Sequence, residues 1–157
     1  MRRSLPPVAS KVSDTLIARG HHGVIITQPN PTRTAQEAAE ALGVTVGAIT
    51  ESLVFLLDDD PVLLLVSGVH QVNLDRTGQR LEGTLAPAPA AMVREVTGQP
   101  IGGVAPLGHP TNLPTFIDNA LAGHTELWAA GGHPNTVFRT TFGELVRITA
   151  GLAIDVD

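Results

Sequence analysis

Two apolar runs with three aspartates between them constrain this chain more than anything else in it. Glu51–Leu57 and Pro61–Val66 are dominated by Leu and Val, and Asp58-Asp59-Asp60 separates them. Extended apolar runs flanking a turn-forming cluster predict a β-hairpin, with the aspartates as its solvated tip. Both runs are apolar on both faces, which puts them mid-sheet with helices or a second sheet covering them. Neither approaches the roughly 20 residues that a membrane helix needs.

The rest of the chain supplies the covering elements. Val8–Arg19 carries Val8, Val12, Leu16 and Ile17 at helical spacing, with Gly20 placed to stop the helix. His22–Thr27 reads as a strand, broken by Pro29 and Pro31. Thr34 followed by Glu37 is a capping box, and the face Ala35, Ala38, Ala39, Leu42 is narrow enough to lie close against a sheet before Gly43 ends the helix. Val72–Arg80 and Ala88–Thr97 read as helices, and Gly98–Pro114 as a Gly/Pro-rich loop. Thr115–Asp118, Glu126–Ala130 and Thr136–Arg139 read as strands, Thr141–Thr149 as a helix and Leu152–Val156 as a last strand. The expected fold class is α/β (α+β): one domain over residues 1–157, with a mixed, mostly antiparallel sheet or barrel-like core surrounded by helices.

Composition narrows the chemistry. With four Phe, one Trp, no Tyr and no Cys, the core must be aliphatic, and neither a disulfide nor a thiolate zinc site can form. No histidine pair has the i,i+4 spacing of a helical zinc site, so neither a metal nor a cofactor is expected. Met1-Arg2-Arg3 is not followed by an apolar signal-peptide core, which makes a soluble, cytoplasmic protein the expectation. The net charge is −5, Lys11 is the sole lysine, and the arginines are scattered. A chain that grips nucleic acid on its own usually carries a basic stripe. An RNA partner would therefore be held by a few arginines or chiefly through a terminal group.

Three segments, in this order and spacing, resemble the YbaK/ProX family of aminoacyl-tRNA editing domains: Thr34–Phe55, Pro61–Arg76, and the loop Ile101–Pro110 leading to Leu113–Asp118. Glu126–Gly151 is similar to the family's closing strand–strand–helix, and the resemblance covers most of the chain after about residue 20. It implies the editing-domain fold and a deacylase that hydrolyses the ester of misacylated tRNA in trans, without a protein nucleophile. The implied partners are the 3′ aminoacyl end of a misacylated tRNA and an aminoacyl-tRNA synthetase. The alternative is a catalytically weak binding module of the same fold.

The site residues follow from the same motifs. Gly102, Gly103 and Pro106 match the family's Gly-x-x-x-Pro loop; glycines allow close backbone approach to a ligand, and proline stiffens the far end. Val104 lies within that loop, and exposed N–H groups there could hold a carbonyl or phosphate oxygen. The family's strand opens with a lysine, a small polar residue and then Leu-Val-Phe. Here the stretch is Glu51-Ser52-Leu53-Val54-Phe55, so a carboxylate replaces the cation. Glu51 could act as a general base, could pair with a substrate α-ammonium or cationic side chain, or could mark lost activity. Ser52, His70, His109, Gly131 and His133 complete the substrate-contact candidates: His70 follows a strand end, His109 follows the loop, and His133 sits in a turn expected near the same pocket.

Overall fold

The computed structural model describes residues 5–157, and its centre is the hairpin that the sequence marks out. Strands β2 (Ile49–Leu57) and β3 (Asp60–Ser67) pair antiparallel over their length, from Thr50 opposite Ser67 to Leu57 opposite Asp60. The tip is tighter than three aspartates suggest. Asp58 and Asp59 take positive φ (49° and 70°) and Asp60 already belongs to β3, the geometry of a two-residue hairpin turn that matches strand twist.

The remaining strands are β1 (Ile26–Thr27), β4 (Leu85–Pro87), β5 (Thr115–Asp118), β6 (Leu127–Ala130), β7 (Thr136–Thr140) and β8 (Leu152–Ile154). All eight join one mixed sheet in the order β1-β7-β6-β2-β3-β5-β8, with β4 also on β2. The β1–β7, β2–β3, β2–β4 and β6–β7 pairings are antiparallel; β2–β6, β3–β5 and β5–β8 are parallel. The helices are α1 (Pro7–Ala18), α2 (Ala35–Leu42), α3 (Leu74–Arg80), α4 (Ala90–Thr97) and α5 (Phe142–Thr149).

Local chemistry fixes the helix ends. Thr34 Oγ1 accepts the Glu37 N–H while the Glu37 carboxylate reaches back to the Arg33 N–H, and Gly43 closes α2 in the left-handed region. Thr141 caps α5 in the same way through the Glu144 N–H. Several expectations shrink: the helices expected from Val72 and Ala88 begin at Leu74 and Ala90, and two strands shorten. Of His22–Thr27 only Ile26–Thr27 pairs, because the His21 and His22 rings accept the N–H groups of Gly23 and Val24 and hold that stretch in turns. Leu152–Val156 is regular only to Ile154.

Two apolar layers flank the central strands. Val54, Leu63 and Leu65 pack with Ile117, Leu127, Ala129, Phe138, Leu145 and Ile148. Phe55, Val62, Leu64 and Val66 face the other way and pack with Leu85 and Val156. Strand residues alternate between faces, so the continuous apolar runs fill both layers at once. Among the described residues, no helix is long and apolar enough to cross a membrane.

Candidate active site

The pairing of β2 is broken on one edge. That edge pairs with β6 only at Ile49–Thr50 and with β4 only at Phe55–Leu57. Between them its neighbours diverge, as at the strand crossovers where α/β sheets commonly bind ligands. The Ile49 carbonyl accepts the Gly68 N–H on the β3 side, and the Asp58 N–H donates to Thr84 on the β4 side. Backbone direction alternates along a strand, so the amides of Ser52 and Val54 point into the gap.

A cavity of about 240 Å³ opens there, smaller than the roughly 300–1,000 Å³ typical of drug-sized ligand sites. Its walls come from both faces of the sheet. Ile49, Glu51 and Leu53 line it together with Ala35, Ala38, Leu42, Trp128 and Val137, and Thr50 and Ser52 line it beside Gly102, Val104 and Ala129. Arg33 reaches the same space from the start of α2.

Glu51 is half-buried in this wall and has no hydrogen bond or ion pair among the described residues. Burial is the one cause that moves its carboxyl, and it raises the pKa above the ordinary carboxylate value. Thr50, only 3% exposed, and Ser52 carry hydroxyl oxygens that are buried without a partner among the described residues. No histidine lines the cavity to activate either one.

The Gly/Pro loop is held from behind. Buried Gln99 accepts the Ala105 N–H through Oε1 and donates from Nε2 to the Leu107 carbonyl, and Thr97 Oγ1 accepts the Gln99 N–H. No sequence motif marks Gln99. A polar residue beside Gly/Pro turn-formers is the only local hint, since its partners are backbone groups set by folding. Gly103 is required by contact: a Cβ there would stand 2.5 Å from the His133 carbonyl carbon. Gly102 (φ +88°) has nothing within 4 Å of an added Cβ and presents its backbone to the cavity. Gly103 donates to the Pro100 carbonyl, whereas the N–H groups of Gly102 and Val104 have no partner among the described residues.

The expected site residues thus divide. Glu51, Ser52, Gly102 and Val104 meet at the cavity. Gly103, Gly131 and His133 lie just behind its wall; the His133 ring pairs with the Asn135 side chain, while Pro134 provides the lining. Pro106 and His109 face away, onto a second cavity of about 540 Å³ beside Arg19 and Arg147. The His109 Nε2 pairs with the Ala105 carbonyl at 2.9 Å. Burial lowers its pKa; Lys11 and Arg19 push the same way, and the Ala105 carbonyl opposes them. His70 is outside both cavities, bound to Asp118 at 2.8 Å through Nδ1.

Comparison with known proteins identifies this arrangement. Residues 29–148 match the aminoacyl-tRNA editing domain family, a span that includes both the broken strand edge and the loop. The chain belongs to that family. A solved structure of a candidate trans-editing enzyme for prolyl tRNA synthetase superposes with a TM-score of 0.92 at 42% identity, covering 98% of this chain and 99% of that one. The uncharacterized protein YwhH of Bacillus subtilis is 30% identical over 113 residues, 71% of this chain and 72% of its own length. The proline–tRNA ligase of Oleidesulfovibrio alaskensis is 33% identical over 101 residues, 64% of this editing domain but 17% of the ligase. The domain therefore spans less than a fifth of that ligase.

Proposed function

We propose that this editing domain hydrolyses the ester between an amino acid and the terminal ribose of a misacylated tRNA, acting in trans. The observation that carries the reading is that Gly102 and Val104, two loop residues whose N–H groups have no partner among the described residues, both line a small cavity at the break in β2. An ester carbonyl seated against them would have its developing oxyanion stabilised by fixed donors. One such donor is worth roughly 10²–10³ in rate. The Gln99 brace and the Gly103–His133 contact hold those donors in place, so they need not reorganise during reaction.

No lining side chain pairs a nucleophile with a base, so the attacking group is water or a ribose hydroxyl, positioned rather than covalently activated. The cavity's size favours the aminoacyl end as the part enclosed. The body of the tRNA would lie outside it, with Arg33 at the rim available to a phosphate. Likeness to proline–tRNA ligases and to a candidate trans-editing enzyme makes a synthetase the natural upstream source of the substrate, and the cytoplasm the natural place of work.

A binding module of the same fold is the second reading, favoured by Glu51 standing where the resemblance calls for a lysine. A deacylation screen over a panel of mischarged tRNAs separates the two. Release of amino acid from at least one tRNA is expected. A folded protein that releases none would overturn the catalytic reading.

A further inference from the structure

The cavity holds two opposite charges that do not meet. Glu51 and Arg33 both line it, yet no ion pair joins them, and no neighbouring charge contributes to the shift of the Glu51 carboxyl. A half-buried carboxylate with neither cation nor hydrogen-bond donor is an uncompensated group, which folding alone does not favour. Its neighbours on the same sheet face sharpen the point. Ile49 stands opposite Trp128 in the parallel register, and Glu51 lies two residues further along the strand, so Glu51 and Trp128 flank one space on the α2 side. Trp128 is the only tryptophan of the chain, and its indole N–H is occupied by Glu126 Oε1 at 2.8 Å. That leaves the ring surface, not the N–H, as what it offers to a ligand. A carboxylate beside an indole ring is a site for a small cation.

We propose that Glu51, seconded by Trp128, binds the α-ammonium of the aminoacyl group and thereby positions the ester against the loop amides. The proposal rests on the deacylase reading for the identity of its ligand. An aminoacyl ester is the part of a charged tRNA that carries a cation, and its α-ammonium lies one carbon from the reacting carbonyl. Anchoring it at Glu51 sets that carbonyl at a fixed reach from the Glu51 end of the cavity towards Gly102 and Val104. Arg33, away from Glu51 on the same cavity, would then face the phosphate side of the ligand. In this arrangement Glu51 is a substrate-binding group and takes no proton in the reaction.

Binding tests this apart from turnover. The probes are two amides of 3′-amino-3′-deoxyadenosine, one alanyl and one lactyl, which differ in a single group: an ammonium in the first, a hydroxyl of similar size in the second. By calorimetry at pH 7, wild type should bind the alanyl amide roughly 10- to 100-fold more tightly than the lactyl amide. Glu51→Gln, which keeps size and removes charge, should reduce that ratio to near one by weakening the alanyl amide alone. Trp128→Leu should narrow the ratio by a smaller factor. Equal affinity of wild type for the two amides, or a ratio that survives in Glu51→Gln, would overturn the proposal. So would Glu51→Gln binding both amides as wild type does while losing all turnover, since that marks a proton-transfer group. A preserved ammonium preference in a protein that deacylates no tRNA would retain the anchor and reject only the catalytic reading.

Discussion

Two carboxylates of this editing domain, both drawn in from solvent, behave in opposite ways. Asp118, 1% exposed, accepts the Ser67 N–H and the His70 ring through one oxygen and the Ala120 N–H through the other. It ties the end of β3 to the end of β5 and to the turn that follows. Glu51 accepts nothing from the described residues. A buried carboxylate with all its partners maintains the fold, whereas one without them is a candidate for binding a ligand.

Removing each carboxylate in turn should give opposite results. Asp118→Ala orphans two backbone N–H groups and a histidine at a buried junction, and should cost about 3–5 kcal/mol in urea unfolding. Glu51→Gln should leave stability unchanged or raise it at neutral pH, because it relieves a desolvated charge. Equal losses would erase the distinction. Gln99 belongs with Asp118, although it borders the site. Gln99→Ala strips partners from Ala105 and Leu107 and should cost about 1–3 kcal/mol, with a fall in deacylation larger than that loss of stability accounts for. The smallest effect concerns acid. His21 and His109 both have lowered pKa values, chiefly through burial. Below the ordinary histidine value of about 6.5 the unfolded chain binds more protons than the folded one, so stability falls as pH drops. The Tm should be lower at pH 5.5 than at 7.5. His109→Gln, which can still donate to Ala105, should lessen that drop.

Much of the fold can be read from the sequence because its signals are local. The Thr34–Glu37 box, Gly43, the hairpin and the Thr141 helix each declare themselves within a few residues. Asp118 closes the expected Thr115–Asp118 strand and, in the structure, also caps the turn at Asn119–Gly123. β4 (Leu85–Pro87) is not, since three residues carry no period and only their pairing with β2 makes them a strand. The site is half legible. Glu51, Ser52, Gly102 and Val104 stand out by motif and do line the cavity. The histidines stand out by chemistry, yet His70 and His109 are consumed by Asp118 and by the Ala105 carbonyl. Whether a side chain is spent inside the protein is decided by partners far away in sequence.

The interrupted edge of β2 also separates two design problems. Successive residues of the strand enter the cavity from opposite faces, with Glu51 on the α2 side and Thr50 and Ser52 on the loop side. The charge of the cavity and its size can thus drift independently over three adjacent codons, each answering to its own set of neighbours. A family built on this strand could exchange a lysine for a glutamate, or resize the chamber behind it, without renegotiating the scaffold that carries both.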